Sequence, residues 1–352
     1  MDALQLRFTV LHTDVDVVFL KNPLHDLYSS TNGDISCLSD AGSCNAGFVY
    51  IKPSEFATDV YTRMRKIALE TKLDDQTALN KALAAAVEKN RKFSNRKRLL
   101  DAKKYQCGLG YFEIGHRYFA ESAACSQCIV VHNNWIVSKE AKRYRFRELL
   151  LWSFDNNGYY SNTTAKYLMY SNAPLHRRIN QSVSTVELEA LKTALYLGHI
   201  LNRLVILPRF HLANKKAPSK QGAERPLNNW IKMASFDRYF YEKYRENSFL
   251  HHEKVPQSIK ESITQPFWIK THQGLTMLGE HPANVSVLSP ADEERATTEE
   301  VMKWFGDEKR DVLNFHSLYG IFGVDSIPKS AKAFFQKLKS VFKQSDYRQL
   351  RN

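Results

Sequence analysis

The sequence predicts an α/β protein, and three observations carry that prediction. Short apolar runs alternate with stretches of helical spacing: Asn45–Ile51, Ile129–His132 and Leu204–Pro208 against Ser54–Lys72 and Val186–Leu201. The first apolar run, Leu11 to Leu20, carries two aspartates, Asp14 and Asp16, two positions apart, where ligands of open α/β sheets bind. The chain is also long enough, at 352 residues with 43% hydrophobic and 12% aromatic content, to bury a substantial core in one large or two medium domains.

Element by element, Asn22-Pro23 breaks the first strand and Leu24–Tyr28 begins a short segment. Asp34–Leu38 reads as a strand, Ser39–Cys44 as turn-rich, and Asn45–Ile51 as a buried strand stopped by Lys52-Pro53. Ser54–Lys72 has helical spacing through Phe56, Val60, Met64 and Ile67. A second helix opens at Leu73-Asp74-Asp75-Gln76, with Asp74 or Asp75 as its cap and Leu79, Leu83 and Val87 inward. Tyr105–Phe119 is expected as short strands bent at Gly108, Gly110 and Gly115, Ile129–His132 as a strand, and Ser138–Trp152 as a basic helix closing the first domain, residues 1–155. The second domain, 165–352, is expected to hold the helix Val186–Leu201, strands at 204–208, 267–270, 285–288 and 312–315, a polar loop over 214–228, and a C-terminal helix over 331–342. No internal repeat is visible.

Residues i and i+2 of a strand share a face, so Asp14 and Asp16 can turn two hard oxygen donors into one pocket. Such a pair suits Mg²⁺ or Mn²⁺, which take further ligands from waters and substrate phosphates, as in a site for a nucleoside diphosphate. The same Asp-x-Asp strand opens the haloacid-dehalogenase phosphatases, and two solvated carboxylates are the bland alternative. The phosphatases would need a strand-end Ser/Thr, a Lys and a later acidic pair after an apolar strand; Asp74-Asp75 lacks that apolar lead-in.

The net charge is +13, with basic clusters at Arg91-Lys92, Arg96-Lys97-Arg98, Lys103-Lys104 and Lys139 to Arg147. No zinc-finger spacing, RNP-type aromatic motif or helix-turn-helix pattern accompanies them, so a solvated basic surface is expected and no nucleic-acid partner. Cys37, Cys44, Cys107, Cys125 and Cys128 all lie in the first 130 residues. Cys125-x-x-Cys128 is either half a zinc site or part of a disulfide framework. Asn162, Asn180 and Asn284 head glycosylation sequons. No apolar stretch approaches the roughly 20 residues of a membrane span.

Four motifs then occur in order: the Asp14-x-Asp16 strand running to Asn22-Pro23, Asn45-Ala46-Gly47-Phe48, Leu73-Asp74-Asp75-Gln76-x-x-Leu79-Asn80, and Val131-His132-Asn133-Asn134-Trp135. Over roughly residues 8–152 this set resembles the nucleotide-diphospho-sugar transferases of glycosyltransferase family 77, which includes plant cell-wall xylosyl- and arabinosyltransferases and related galactosyltransferases. The resemblance implies a GT-A-like, Rossmann-type nucleotide-sugar-binding domain, followed by a second α/β region. It implies Asp14, Asp16 and His132 as ligands of Mn²⁺ (or Mg²⁺), although a strand-end histidine can equally be structural. It places Asn45 and Gly47 at the sugar pocket, where Gly47 either permits close approach or marks a bulge. Asp74, Asp75 and Gln76 fall where related enzymes set polar groups against the donor sugar, with helix capping as the alternative for either aspartate. Lys139 is a candidate for the diphosphate.

The implied activity is metal-dependent transfer of a sugar, with retention, from a UDP-linked donor to a hydroxyl of a glycan or glycoprotein. A degenerate, glycan-binding homologue is the non-enzyme alternative. With only about ten residues before the metal-binding strand, the chain reads as N-terminally incomplete, and the family implies the Golgi lumen, reached through an N-terminal membrane anchor outside this chain; some relatives act in the cytoplasm. Glu189 to Leu195 and Leu201 to Pro208 bear a short similarity to the first helix–strand unit of fucosyltransferase-like Rossmann domains, and no chemistry is assigned to Asn202 or Arg203.

Overall fold

The computed structural model describes residues 2–30, 32–172, 183–211, 224–278 and 283–322, together with 334, 336, 337 and 341. It is a mixed α/β structure of two compact units: Met1–Arg117 with Glu121–Val137, and Tyr118–Ala120 with Ser138–Asn352. The helix expected to close the first domain thus begins the second unit.

In the first unit, α1 (Asp2–Gln5) leads to β1 (Val10–Thr13), and β2 (Val17–Phe19) follows after three residues. After α2 (Leu24–Ser30), β3 (Ile35–Asp40) and β4 (Ser43–Ile51) form a hairpin turned at Ala41 and Gly42, both at positive φ. The strand expected to stop at Leu38 therefore runs on to Asp40. The helices α3 (Glu55–Thr71) and α4 (Asp75–Lys89) come next. Ser54 caps α3 by accepting from the Ala57 N–H, and Asp74 caps α4 by accepting from the Thr77 N–H. β5 (Lys97–Leu99), β6 (Tyr105–Gln106) and β7 (Val130–His132) complete the unit.

The strands make two sheets, ordered β1-β4-β3-β5 and β2-β7-β6. β4 is buried on both faces, which explains its continuous apolar run. Cys44, Ala46, Val49 and Ile51 meet Phe56, Ala57, Val60, Leu79, Ala82 and Leu83 of the two helices, while Phe48 and Tyr50 pack with Leu27, Leu38, Tyr105 and Val130. The β3–β4 ladder shifts register: Cys37 faces Val49 but Ser39 faces Cys44, so Asn45 to Phe48 bulge opposite Leu38 alone. A disulfide, Cys37–Cys44, ties the hairpin across this bulge. Cys125 and Cys128 form a second disulfide rather than half a zinc site, and Cys107 is a free thiol.

The segment Tyr105–Phe119 departs from expectation. Beyond Tyr105–Gln106 it is not strand; Leu109–Ile114 forms a π-helix that buries Tyr111 and Phe112. Glycines at short spacing here serve close approach, because a Cβ on Gly108 would meet the Asn134 carbonyl oxygen at 2.0 Å.

In the second unit, α5 (Lys139–Glu148) is not the solvated basic helix expected, since Arg145 and Arg147 are buried. The Arg147 guanidinium lies 3.7 Å from the centre of the Tyr159 ring and 3.7 Å from Glu246. β8 (Tyr167–Tyr170), α6 (Val183–Ile200) and β9 (Leu204–Ile206) follow in helix–strand alternation. β10 (Phe210–His211) and β11 (Glu224–Arg225) pair antiparallel, so the end of the expected polar loop is a strand, followed by a 3₁₀ turn that buries Leu227. The remaining elements are α7 (Met233–Phe240), β12 (Tyr244–Arg245), α8 (Gln257–Glu261), β13 (Phe267–Ile269), α9 (His272–Leu278), β14 (Ser286–Leu288), α10 (Thr298–Phe305) and β15 (Val312–Phe315).

Six strands form one wholly parallel sheet, ordered β12-β9-β8-β15-β13-β14. The three strands expected near 267, 285 and 312 all lie in it. Asn202 ends α6 in the left-handed region, at φ 50°. Arg203 is a structural clamp: its guanidinium donates to the carbonyls of Tyr167, Glu308, Arg310 and Asp311. The C-terminal helix over 331–342 lies largely outside the described residues. Among the described residues no helix is long and apolar enough to cross a membrane.

Candidate active site

Asp14 and Asp16 do not share one strand. They occupy the link between β1 and β2, which belong to different sheets. Thr13 pairs with Phe48 on β4, and the Asp14 N–H donates to the Gly47 carbonyl. Val17 already pairs with His132 on β7, and the Asn133 N–H donates to the Asp16 carbonyl. The crossover turns Val15 fully into solvent while both carboxylates converge on the imidazole.

His132 Nε2 lies 3.5 Å from Asp14 Oδ2 and 3.4 Å from Asp16 Oδ1. One ligand atom from each of the three lies within 4.8 Å of the others. Asp16 and His132 are buried, while the Asp14 side chain is 43% exposed and keeps the cluster open to solvent. Two carboxylates and an imidazole make a donor set that fits Mn²⁺, with room for waters or phosphate oxygens.

The bulge of β4 supplies what stands behind the cluster. A Cβ built on Gly47 would sit 2.4 Å from Asp14 Oδ2 and 2.5 Å from His132 Cε1, so no side chain larger than hydrogen fits there without moving both groups. Asn45 Oδ1 accepts from the Gly47 N–H at 2.9 Å, which fixes the orientation of the amide. His132 Nδ1 lies 2.9 Å from that same oxygen, which can only accept, so Nδ1 donates to it and Nε2 faces the carboxylates. A histidine held this way is presented for ligation.

Sequence reasoning missed Asp40. Its carboxylate is buried at the end of β3. Oδ2 accepts from Asn45 Nδ2 at 3.2 Å, Asn134 Nδ2 at 3.0 Å and, at 3.5 Å, Gln76 Nε2; Oδ1 accepts from the Trp135 indole N–H at 2.7 Å. Asp40 thus joins β3, β4, α4 and the segment after β7. A strand followed by a tight turn hid it, since an aspartate there usually marks only a turn.

Of the other residues singled out, Gln76 belongs to this network, because its Oε1 accepts from Asn45 Nδ2 at 2.9 Å. Asn80 anchors α4 by accepting from the Cys44 N–H and donating to the Cys44 carbonyl. Asp74 is taken up as the cap of α4, accepting from the N–H and hydroxyl of Thr77, and these bonds hold its carboxyl below the usual range. The Asp75 carboxylate accepts from the Gln76 N–H and is exposed. Lys139 is the exposed first residue of α5 in the second unit.

Comparisons with known proteins bear on the unit that carries this site. Residues 2–146 match the family of nucleotide-diphospho-sugar transferases. The match spans the whole cluster. A UDP-galactose:fucoside alpha-3-galactosyltransferase of Dictyostelium discoideum is 25% identical over 180 residues, 45% of this chain. The chain matches 27% of that relative's length. Among solved structures, the glycosyltransferase GlyE of Streptococcus pneumoniae aligns over 94% of this chain and 78% of its own, at 13% identity and a TM-score of 0.27. Its apo form aligns over the same shares, at 12% identity and 0.26. Scores that low carry no argument about fold or chemistry.

Proposed function

We propose that this chain is a metal-dependent glycosyltransferase that moves a sugar from a nucleoside diphosphate donor, UDP-linked, to a hydroxyl of a glycan or glycoprotein, with retention at the anomeric carbon. The observation that carries the reading is the convergence of Asp14, Asp16 and His132 inside the segment that matches the nucleotide-diphospho-sugar transferases. The distant galactosyltransferase relative favours the same reaction class, and membership of glycosyltransferase family 77 is the finer assignment we propose.

Asp14, Asp16 and His132 Nε2 would hold Mn²⁺, which when bound would supply Lewis-acid stabilisation of the charge on a departing diphosphate. The rest of the work falls to the chain itself. Asn45 holds His132 in the tautomer whose Nε2 is free to ligate, and the bare face of Gly47 keeps the two ligands from being pushed apart. Asn45 is buried with its amide taken up by Gly47, His132, Gln76 and Asp40, so its role is positioning, while the half-buried Gln76 amide, held by Asn45 and Asp40, is the one we propose for a sugar hydroxyl. The exposed Asp75 carboxylate is the remaining acidic group of the α4 N-terminus that capping does not use, and we propose it for the sugar or the reacting centre.

Mn²⁺-dependent release of UDP from UDP-sugars by the full chain tests this reading, and hydrolysis that chelation abolishes is the expected result. Binding of UDP-sugars without any turnover would favour the degenerate, glycan-binding reading instead. We place the protein in the Golgi lumen. The two disulfides support an oxidising compartment, and Asn162 and Asn284 are exposed in their sequons, while Asn180 lies outside the described residues. Absence of glycan on all three in cells, with every cysteine reduced, would contradict the lumenal assignment.

A further inference from the structure

We propose that the indole of Trp135, tied through Asp40 and Asn45 to His132, is a stacking platform for the apolar face of a pyranose ring handled by the Asp14–Asp16–His132 pocket. This rests on reading that pocket as a sugar-transfer site. Trp135 lies three residues beyond His132, in the same compact unit.

Three features of Trp135 conflict with a core-filling role. The residue is 44% exposed, whereas Phe48, Tyr105 and Tyr111 of the same unit are buried. Its backbone sits at φ 59°, in the left-handed region that costs a residue with a Cβ about 1–2 kcal/mol. Strain of that kind persists where the surroundings impose it and clusters at ligand-binding positions. Finally, the indole N–H is tied to Asp40 Oδ1 at 2.7 Å, so the ring is aimed by a buried carboxylate instead of swinging in solvent.

The backbone beneath the ring is equally fixed. The Asn133 N–H donates to the Asp16 carbonyl, and Asn134 accepts from the Gly108 N–H while donating to Asp40. Among the described residues, no ring or cation lies over the indole. A rigid aromatic face, edge-anchored and open, matches the axial C–H face of a pyranose, since the negative π-face attracts C–H edges. Holding the ring in advance also lowers the ordering cost of binding. The ring it receives belongs either to the donor sugar or to the acceptor.

The test compares the full chain with Trp135→Ala, Trp135→Leu and Trp135→Phe, each checked for folding by circular dichroism. Titration of methyl pyranosides, read by saturation-transfer NMR, reports an acceptor-type ring. The KM for Mn²⁺-dependent hydrolysis of UDP-sugars reports the donor ring. Trp135→Ala and Trp135→Leu should weaken one of these by about tenfold, while Trp135→Phe, which keeps a ring but loses the N–H that aims it, falls between them and the wild type. Manganese affinity should not change in any of them. Unchanged sugar binding in the Ala and Leu variants would overturn the proposal, as would a Phe variant as weak as they are. If the wild type binds Mn²⁺ and UDP but no sugar, the platform falls and the metal site stands. If pyranosides bind through Trp135 while Mn²⁺ and UDP do not, the transferase reading falls and the platform stands.

Discussion

At the scale of single residues, the site depends on an atom that is absent. Gly47 brings no Cβ, and its neighbours Asp14 Oδ2 and His132 Cε1 fill the space one would take. Gly47→Ala should therefore displace both metal ligands at once, lowering Mn²⁺ affinity by about 10–100-fold and costing about 1–3 kcal/mol of stability. Isothermal titration and thermal denaturation of the same variant read both, and wild-type affinity would show that the ligands do not need that space. Asp14, Asp16, His132 and Gly47 were singled out in the sequence by short motifs, but the spacing argument for the aspartates assumed one strand, whereas a crossover between two sheets brings them together. Asp40 was not singled out, because its importance lies in four donors drawn from segments up to 95 residues away. Nor could the sequence say which of Asp74 and Asp75 is the cap; backbone geometry gives that role to Asp74.

At the scale of elements, the bulge in β4 decides what the strand presents. It switches which positions face the helices, Cys44 and Ala46 before the shift but Val49 and Ile51 after it, so that Asn45 and Gly47, which share a face, are left beside His132. The Cys37–Cys44 bridge closes a short loop across that irregularity, and a loop of this length is worth about 2 kcal/mol. Replacing both cysteines by alanine should lower stability by about that amount in chemical denaturation, and an unchanged midpoint would show that the hairpin holds itself. Periodicity anticipated α3, α4, α6 and most buried strands. It failed over Tyr105–Phe119, where glycines at short spacing accompany a π-helix instead of bent strands. It also misread α5, whose arginines lie buried over tyrosine rings and beside carboxylates, because a run of basic residues looks the same in sequence whether solvated or paired.

At the scale of the whole molecule, a wholly parallel six-stranded sheet organises the second unit, where Glu148, the last residue of α5, and Glu246 are both buried. Desolvation, opposed by bonds from Ser248 and reinforced by the nearby Glu246, raises the Glu148 carboxyl from 4.5 to about 7. Between those values the folded chain holds a proton that the unfolded chain has released, so stability should fall as pH rises from 4.5 through about 7. Glu148→Gln should flatten that slope, which amounts to about 3 kcal/mol across the window, and an unaltered slope in pH-dependent denaturation would assign it elsewhere. For the molecule's function the central claim is narrower: Asp14, Asp16 and His132 are the ligands of one divalent cation that carries a nucleoside diphosphate. Electron paramagnetic resonance titration of the full chain with Mn²⁺, with and without UDP, tests it most directly. The account predicts one Mn²⁺ site that UDP tightens and that either Asp14→Ala or Asp16→Ala abolishes while the fold persists. Equal Mn²⁺ binding by the wild type and both variants would contradict it.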